Sequence, residues 1–212
     1  MKALTSFGIL GGLAALTMLV APLTLDAAES AGGVATGEAA PDFTATDTRG
    51  NQHSLSDFAG QIVILEWTNK DCPFVRKFYD SGYMQQWQEE YAGMENVVWL
   101  TVCSSAPGNQ GHLSAEEWNQ LIQKQDSHAT AVLMDEDGTV GKAYGATNTP
   151  HMYIIDGEGV LRYQGAIDSI RSAKSDDIEE ATNYVAQAVE AIQAGEDVEE
   201  TTTQAYGCGV KY

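Results

Sequence analysis

Two apolar runs stand out along the chain: Ile62, Val63, Ile64 and Leu65, then Val97, Val98, Trp99, Leu100, Thr101 and Val102. Runs with no polar face predict strands buried on both sides, the pattern of a parallel sheet interior. Alternation from Phe43 to Thr48, a turn at Arg49-Gly50-Asn51 and a return through His53 to Leu55 predict a β-hairpin ahead of them. Residues 131–134 and 152–155 read as further strands, each followed by an acidic Gly-containing turn, and 160–163 pairs with the latter as a hairpin. Between the strands the spacing becomes helical. Pro73 suits a first helical position, and Phe74, Phe78, Trp87 and Tyr91 form a stripe with an irregularity at Gly82. Ser114-Ala115-Glu116-Glu117 is a capping box opening a helix to about Lys124. A last helix is predicted from Ser175 as N-cap, through Ile178, Ala181, Val185, Val189 and Ile192, to Gly195. The order predicts an α/β chain with a mixed central sheet, helices on both faces and an N-terminal β-hairpin. In such sheets reactive groups gather beyond the carboxyl ends of the parallel strands, where Cys72 and Cys103 fall.

Domain organisation follows from where this pattern stops. Lys2 precedes an uncharged, Leu- and Ala-rich run from Ala3 to Leu25, with small residues at Ala27 and Ala28, so 1–27 reads as a signal peptide or an N-terminal anchor. Either way the remainder is exported, periplasmic or otherwise extracytoplasmic, and a membrane is involved only if the segment stays uncleaved. Residues 28–40 are a small-residue linker, 41–195 the domain, and 196–212 an acidic, flexible tail carrying Cys208. The chain has 212 residues, enough for one ordinary core, and 30 Asp and Glu against 11 Lys and Arg give it a formal charge of −19. That balance repels phosphate backbones and excludes nucleic acid as a default partner.

The candidate chemistry lies in the thiols. With only Cys72, Cys103 and Cys208, an exported chain keeps at least one cysteine unpaired within the monomer. A cysteine placed before Pro73 meets free backbone N–H groups and the positive end of a helix dipole, which favour thiolate over thiol. Lys70, Arg76 and Lys77 lie within five residues of Cys72, and Arg76 is one helical turn on. Cys72 is therefore the expected nucleophile, with Arg76 stabilising its thiolate; the plainer alternative is a small core residue beside solvated cations. Cys72 with His151 makes only a two-ligand soft-metal pair, so no metal or cofactor is assigned.

Ala40-Pro41-Asp42-Phe43, the run Glu66-Trp67-Thr68-Asn69-Lys70-Asp71-Cys72-Pro73-Phe74-Val75, and Thr149-Pro150-His151-Met152-Tyr153-Ile154-Ile155-Asp156 together resemble the redoxin, peroxiredoxin-like (AhpC/TSA-type) branch of the thioredoxin-like superfamily. The resemblance spans about residues 38–195 and implies a thioredoxin-like fold. It implies that Pro150 is a cis-proline beside the active cysteine and that Thr149 offers backbone hydrogen bonds to substrate. The departures are specific. Val75 stands where thioredoxins have a second cysteine, and Leu65 and Asn69 stand where peroxiredoxins have Pro and Thr. Thr149-Pro150 stands where peroxiredoxins have a later Arg, which leaves Asn69 to donate to a peroxide oxygen and Arg76 to replace the charge. Glu66 falls where thioredoxins bury an acid, which makes it a proton carrier if buried and an ordinary strand-end carboxylate if not. Cys208 resembles the Gly-Cys tails of the peroxiredoxin-like subgroup, implying a resolving thiol; the alternative is a passive cysteine on a mobile tail. Cys103 is either a competing partner or a buried, inert thiol.

These readings predict an exported thiol-dependent oxidoreductase, peroxiredoxin-like and antioxidant, using an external thiol reductant. Two rivals remain: a thiol-disulfide oxidoreductase acting on exported protein thiols, and a non-catalytic or metal-handling module on the same fold.

Overall fold

The computed structural model describes residues 33–212, together with Met1, so the segment read as a leader or anchor lies outside the described residues. The hairpin forms as the pattern predicts, from β1 (Thr44–Asp47) and β2 (Gln52–Ser54). Its turn is held by the Asp47 carboxylate, which accepts from the N–H groups of Arg49 at 2.8 Å and Asn51 at 2.9 Å. The two apolar runs become β3 (Ile62–Trp67) and β4 (Val97–Cys103), paired in parallel and buried at every residue. Between them run α1 (Pro73–Ser81) and α2 (Tyr83–Ala92), separated at Gly82, whose φ of 84° is left-handed and costs glycine little. The capping box opens α3 (Ala115–Gln125), and β5 (Ala131–Met134) follows, parallel to β4.

α4 (Thr139–Tyr144) has no counterpart in the hydrophobic pattern. The acidic turn expected at residues 135–138 forms and runs directly into it, and the Asp135 carboxylate secures its start by accepting from the N–H of Val140 and of Gly141, both at 2.9 Å. Then come β6 (Asn148–Thr149), β7 (His151–Ile155) and β8 (Leu161–Gly165), the last two antiparallel. The final helix is shorter than its stripe. Ser175–Asp177 makes a single 3-10 turn, and α5 (Tyr184–Ala194) starts afresh from Asn183, whose side chain caps Ala186 N–H at 3.1 Å. The interruption has a tertiary cause: Thr182 to Tyr184 pair with the chain after β8, through Ser169 N–H to Thr182 O at 3.0 Å and Tyr184 N–H to Ile167 O at 3.2 Å.

Seven of the strands form the central sheet, in the order β2-β1-β5-β4-β3-β7-β8, and β6 belongs to a separate two-stranded sheet. Alternation along β3 divides the core. Ile62 and Ile64 face α1, α2 and α5 with Phe78, Trp99 and Val189, whereas Val63, Leu65 and Trp67 face α4 with Val140 and Tyr144. Helices thus cover both faces, as expected.

Two expected irregular segments are ordered. Part of the linker lies along the edge of β8, with Gly37 N–H to Leu161 O at 2.7 Å and Leu161 N–H to Glu38 O at 2.9 Å. The tail expected to be flexible is instead packed down. Val198, Ala205 and Tyr206 are buried, and a final strand, β9 (Cys208–Gly209), pairs antiparallel with β6. Its acidity gives no sign of this packing, because the residues that anchor it are Val198 and the small and aromatic ones beyond Glu200.

Candidate active site

Cys72 is the N-cap of α1, directly before Pro73, and its carbonyl accepts from Val75 N–H at 3.0 Å and Arg76 N–H at 2.9 Å. The site therefore stands at the positive end of that helix, beyond the carboxyl end of β3, where the sheet topology puts reactive groups. Its thiol is fully buried and donates to the Thr149 carbonyl at 3.1 Å. The Thr149–Pro150 peptide bond is cis. On the other side of the thiol lies β9: Cys208 N–H points at Cys72 Sγ from 3.4 Å, and the strand register sets Cys208 opposite Thr149. Three residues distant in sequence, Cys72, Thr149 and Cys208, thus meet in one place. Gly207 permits the approach, since a Cβ there would collide with the Thr149 carbonyl. All three cysteines are thiols, and burial, with the neighbouring Cys72 adding to it, pushes Cys208 up to about 11.

The remaining expected site residues are placed differently. Arg76 makes its ion pair with Asp80 one turn further on, at 2.9 Å and 3.1 Å, because both lie on the exposed face of the helix while the Cys72 sulfur is buried. Lys70 is held by Asp71 at 2.8 Å, and Lys77 is buried against Asp168 at 2.8 Å. Each of the three cations near Cys72 is thus engaged by a carboxylate, which corrects the expectation of a positive patch facing the sulfur. Asn69 is buried, but its amide serves the loop. Nδ2 donates to Gln110 O at 3.1 Å, Oδ1 accepts from Asp71 N–H at 2.9 Å, and its own carbonyl accepts from Cys72 N–H at 2.9 Å. It shapes the turn that presents Cys72.

Glu66 is fully buried, on the α1–α2 side of β3. Burial pushes its carboxyl up to about 7, opposed by hydrogen bonds from Trp99 Nε1 at 2.9 Å, Tyr79 OH at 3.0 Å, Thr101 Oγ1 at 3.2 Å and Gln88 Nε2 at 3.3 Å. None of these bonds reaches Cys72. Cys103 sits in a separate cluster under α3 with Trp118 and Val132, where burial raises its pKa. His151 is buried, with Nδ1 3.3 Å from Tyr153 OH, and burial lowers its pKa to about 4. Among the described residues no group of three or more His, Cys, Asp or Glu is arranged to hold a metal ion.

Sequence reasoning missed Tyr206 and Asp168. The Asp168 carboxylate takes the Lys77 ammonium on one oxygen and the Tyr206 hydroxyl on the other, while the Tyr206 ring meets Phe74 edge-on at 5.7 Å. This cluster anchors the chain two residues before Cys208. A signal was available: Lys77 stands at i+3 from Phe74, within the apolar stripe, where an unpaired lysine would be costly.

The sequence profile of the AhpC/TSA family matches residues 36–164. Among curated proteins, a thiol-disulfide oxidoreductase ResA from Geobacillus kaustophilus is 28% identical over 129 residues, covering 61% of this chain and 68% of its own. A thiol peroxidase from Streptococcus pneumoniae is 28% identical over 143 residues, covering 64% and 80%. Among solved structures, a hypothetical protein from Sinorhizobium meliloti 1021 superposes with a TM-score of 0.71 at 25% identity, over 85% of this chain and 96% of that one. With the family profile matching more than half of its length, the chain belongs to the AhpC/TSA family, in the redoxin branch of the thioredoxin-like superfamily, and its role is thiol-dependent redox chemistry.

Proposed function

We propose that the chain is an exported thiol-disulfide oxidoreductase in which Cys72 is the nucleophile and Cys208 the resolving thiol. The observation that carries this reading is the 3.4 Å approach of Cys208 N–H to Cys72 Sγ on a strand that pairs with Thr149. The Cys72 thiolate attacks one sulfur of a substrate disulfide, forming a mixed disulfide and releasing the first substrate thiol. The Cys208 thiolate then attacks the Cys72 sulfur and expels the second, so two electrons pass to the substrate and a Cys72–Cys208 disulfide remains. An external thiol reductant restores the dithiol. The raised pKa of Cys208 supports this division of labour, because it keeps Cys208 protonated while Cys72 attacks. Export is supported by Lys2 and the uncharged run from Ala3 to Leu25.

A second reading, reduction of a peroxide, is favoured by the likeness to the pneumococcal thiol peroxidase. Here Cys72 would take the terminal oxygen as a sulfenic acid, and Cys208 would condense with it, releasing water. Against it, Asn69 and Arg76 are committed to Gln110 and Asp80.

Cysteine-resolved mass mapping of the reduced chain decides the matter, after brief exposure to oxidised glutathione in one sample and hydrogen peroxide in another. The expected result is a Cys72–Cys208 disulfide forming faster with the disulfide than with peroxide, a trapped Cys72 adduct in Cys208→Ser, and Cys103 untouched. Preferential oxidation by peroxide would install the second reading; a Cys72–Cys103 bond, or reaction no faster than a free thiol, would overturn both.

A further inference from the structure

Cys72 is fully buried and the Thr149 edge beside it is already occupied, so a substrate disulfide reaches the thiol only as segment 205–212 lifts away. That segment is fastened at both ends by tyrosines. Tyr206, two residues before Cys208, lies in a pocket made by Phe74 and Asp168, with its ring edge-on to Phe74 and its hydroxyl on the Asp168 carboxylate. Tyr212, four residues after Cys208, lies across Gly138 and Gly141, where a Cβ on either glycine would run into its ring. Its hydroxyl donates to Ala146 O at 2.7 Å, and Lys142 Nζ stands 5.4 Å from the ring centroid. Between the tyrosines the backbone binds as an added strand, through the β6 register and Val210 N–H to Thr147 O at 3.1 Å. Gly207, before Cys208, keeps it narrow enough to pass over Thr149.

We infer that the groove under this segment is a peptide-recognition site with two aromatic subsites, and that segment 205–212 is its resident occupant, standing where an extended polypeptide substrate binds. The substrate class is an extended segment with an aromatic residue two before and another four after a cysteine that follows a small residue. The inference rests on the reading of Cys72 as the attacking thiol and adds what that reading leaves open, namely which polypeptides are selected. The Tyr206 pocket also supplies a buried carboxylate as acceptor, so a hydroxylated ring is preferred there to a plain one. The Gly138–Gly141 seat has only a flat, glycine-lined floor and a carbonyl at its end. Substrate and segment compete for one groove, so the segment reduces the apparent affinity of every peptide by the same factor and leaves their ratios unchanged.

The test uses the full chain carrying Cys208→Ser and four synthetic peptides: Tyr-Gly-Cys-Gly-Val-Lys-Tyr, the two with alanine for one tyrosine, and the one with alanine for both. Each peptide carries its cysteine as a mixed disulfide with nitrothiobenzoate. Attack of the Cys72 thiolate on the peptide sulfur forms the Cys72–peptide disulfide, breaks the bond to nitrothiobenzoate and expels it as a coloured thiolate with the electron pair. The expected result is a rate at least fivefold higher for each tyrosine present. Gly141→Ala, a change that a helix accepts, fills one seat. All peptides then react faster because the resident segment is loosened, the preference at the fourth position after cysteine disappears, and the preference at the second position before it persists. Equal rates for the four peptides would overturn the inference, as would a Gly141→Ala chain that keeps both preferences or loses both. The Cys72–Cys208 disulfide of the unsubstituted chain separates the two levels. If it forms while the peptides react alike, the subsites fail and the thiol chemistry stands; if it does not form, the thiol chemistry fails first.

Discussion

At the scale of the residue, Glu66 shows how one buried group couples protonation to folding. Its carboxyl rises from the ordinary 4.5 to about 7, chiefly because burial disfavours its charge. The folded chain thus keeps a proton that the unfolded chain releases above about pH 4.5. This group's contribution is at its most favourable below that pH and declines as pH rises to about 7, by about 3 kcal/mol in all. Urea denaturation across that range will show Glu66→Gln losing less stability with rising pH than the unsubstituted chain; parallel curves would contradict the account. Part of this was legible beforehand, since an acid six residues before Cys72 on an apolar strand was open to either a buried or an exposed reading. The position of Arg76 was not legible in the same way. Helical spacing sets it near Cys72 and Asp80 alike, and solvent exposure on the outer face of α1 decided in favour of Asp80. For Cys103, the strand end was evident, while its placement in a cluster separate from Cys72 depended on α3 covering it.

At the scale of the element, α1 does two things: its N-cap is Cys72, and its second turn buries Lys77 against Asp168. The pair is nearly solvent-free, with side-chain exposures of 0% and 1%, so removing one partner leaves a charge without compensation. Lys77→Met is expected to cost about 3–5 kcal/mol of stability by urea denaturation. Lys77→Met with Asp168→Leu should recover part of that loss, though not all, because the Tyr206 hydroxyl then lacks its acceptor. A double variant no better than the single one would show that the ion pair is not the source of the cost. The elements themselves were largely readable from patterning: β3, β4, the hairpin, α3 and the break at Gly82 all lie where periodicity and caps put them. Those misread, α4 and the start of α5, are short or interrupted segments whose backbone hydrogen bonds are satisfied by distant residues, Asp135 for α4 and the 167–169 segment for α5.

At the scale of the whole molecule, a formal charge of −19 means that folding concentrates like charge. Raising ionic strength from low salt to about 0.3 M shortens the screening length below about 10 Å and is expected to raise the melting temperature by about 2–5 °C, as read by calorimetry. A falling melting temperature would mean that the buried and surface ion pairs outweigh the repulsion. The fold class, the sheet interior and the position of Cys72 at a helix start can be read from the chain alone, because apolar periodicity, caps and a Cys-Pro step act over a few residues. What faces the thiol is settled by long-range contacts. Which carboxylate takes Lys77, which cysteine reaches Cys72, and whether an acidic segment lies free or packs down depend on contacts between residues distant in sequence, 91 positions for Lys77 and Asp168 and 136 for Cys72 and Cys208. Cys208 meets Cys72 because β9 completes a pair with β6 and because Tyr206 and Tyr212 find seats on opposite sides of the site, and no local pattern encodes those seats.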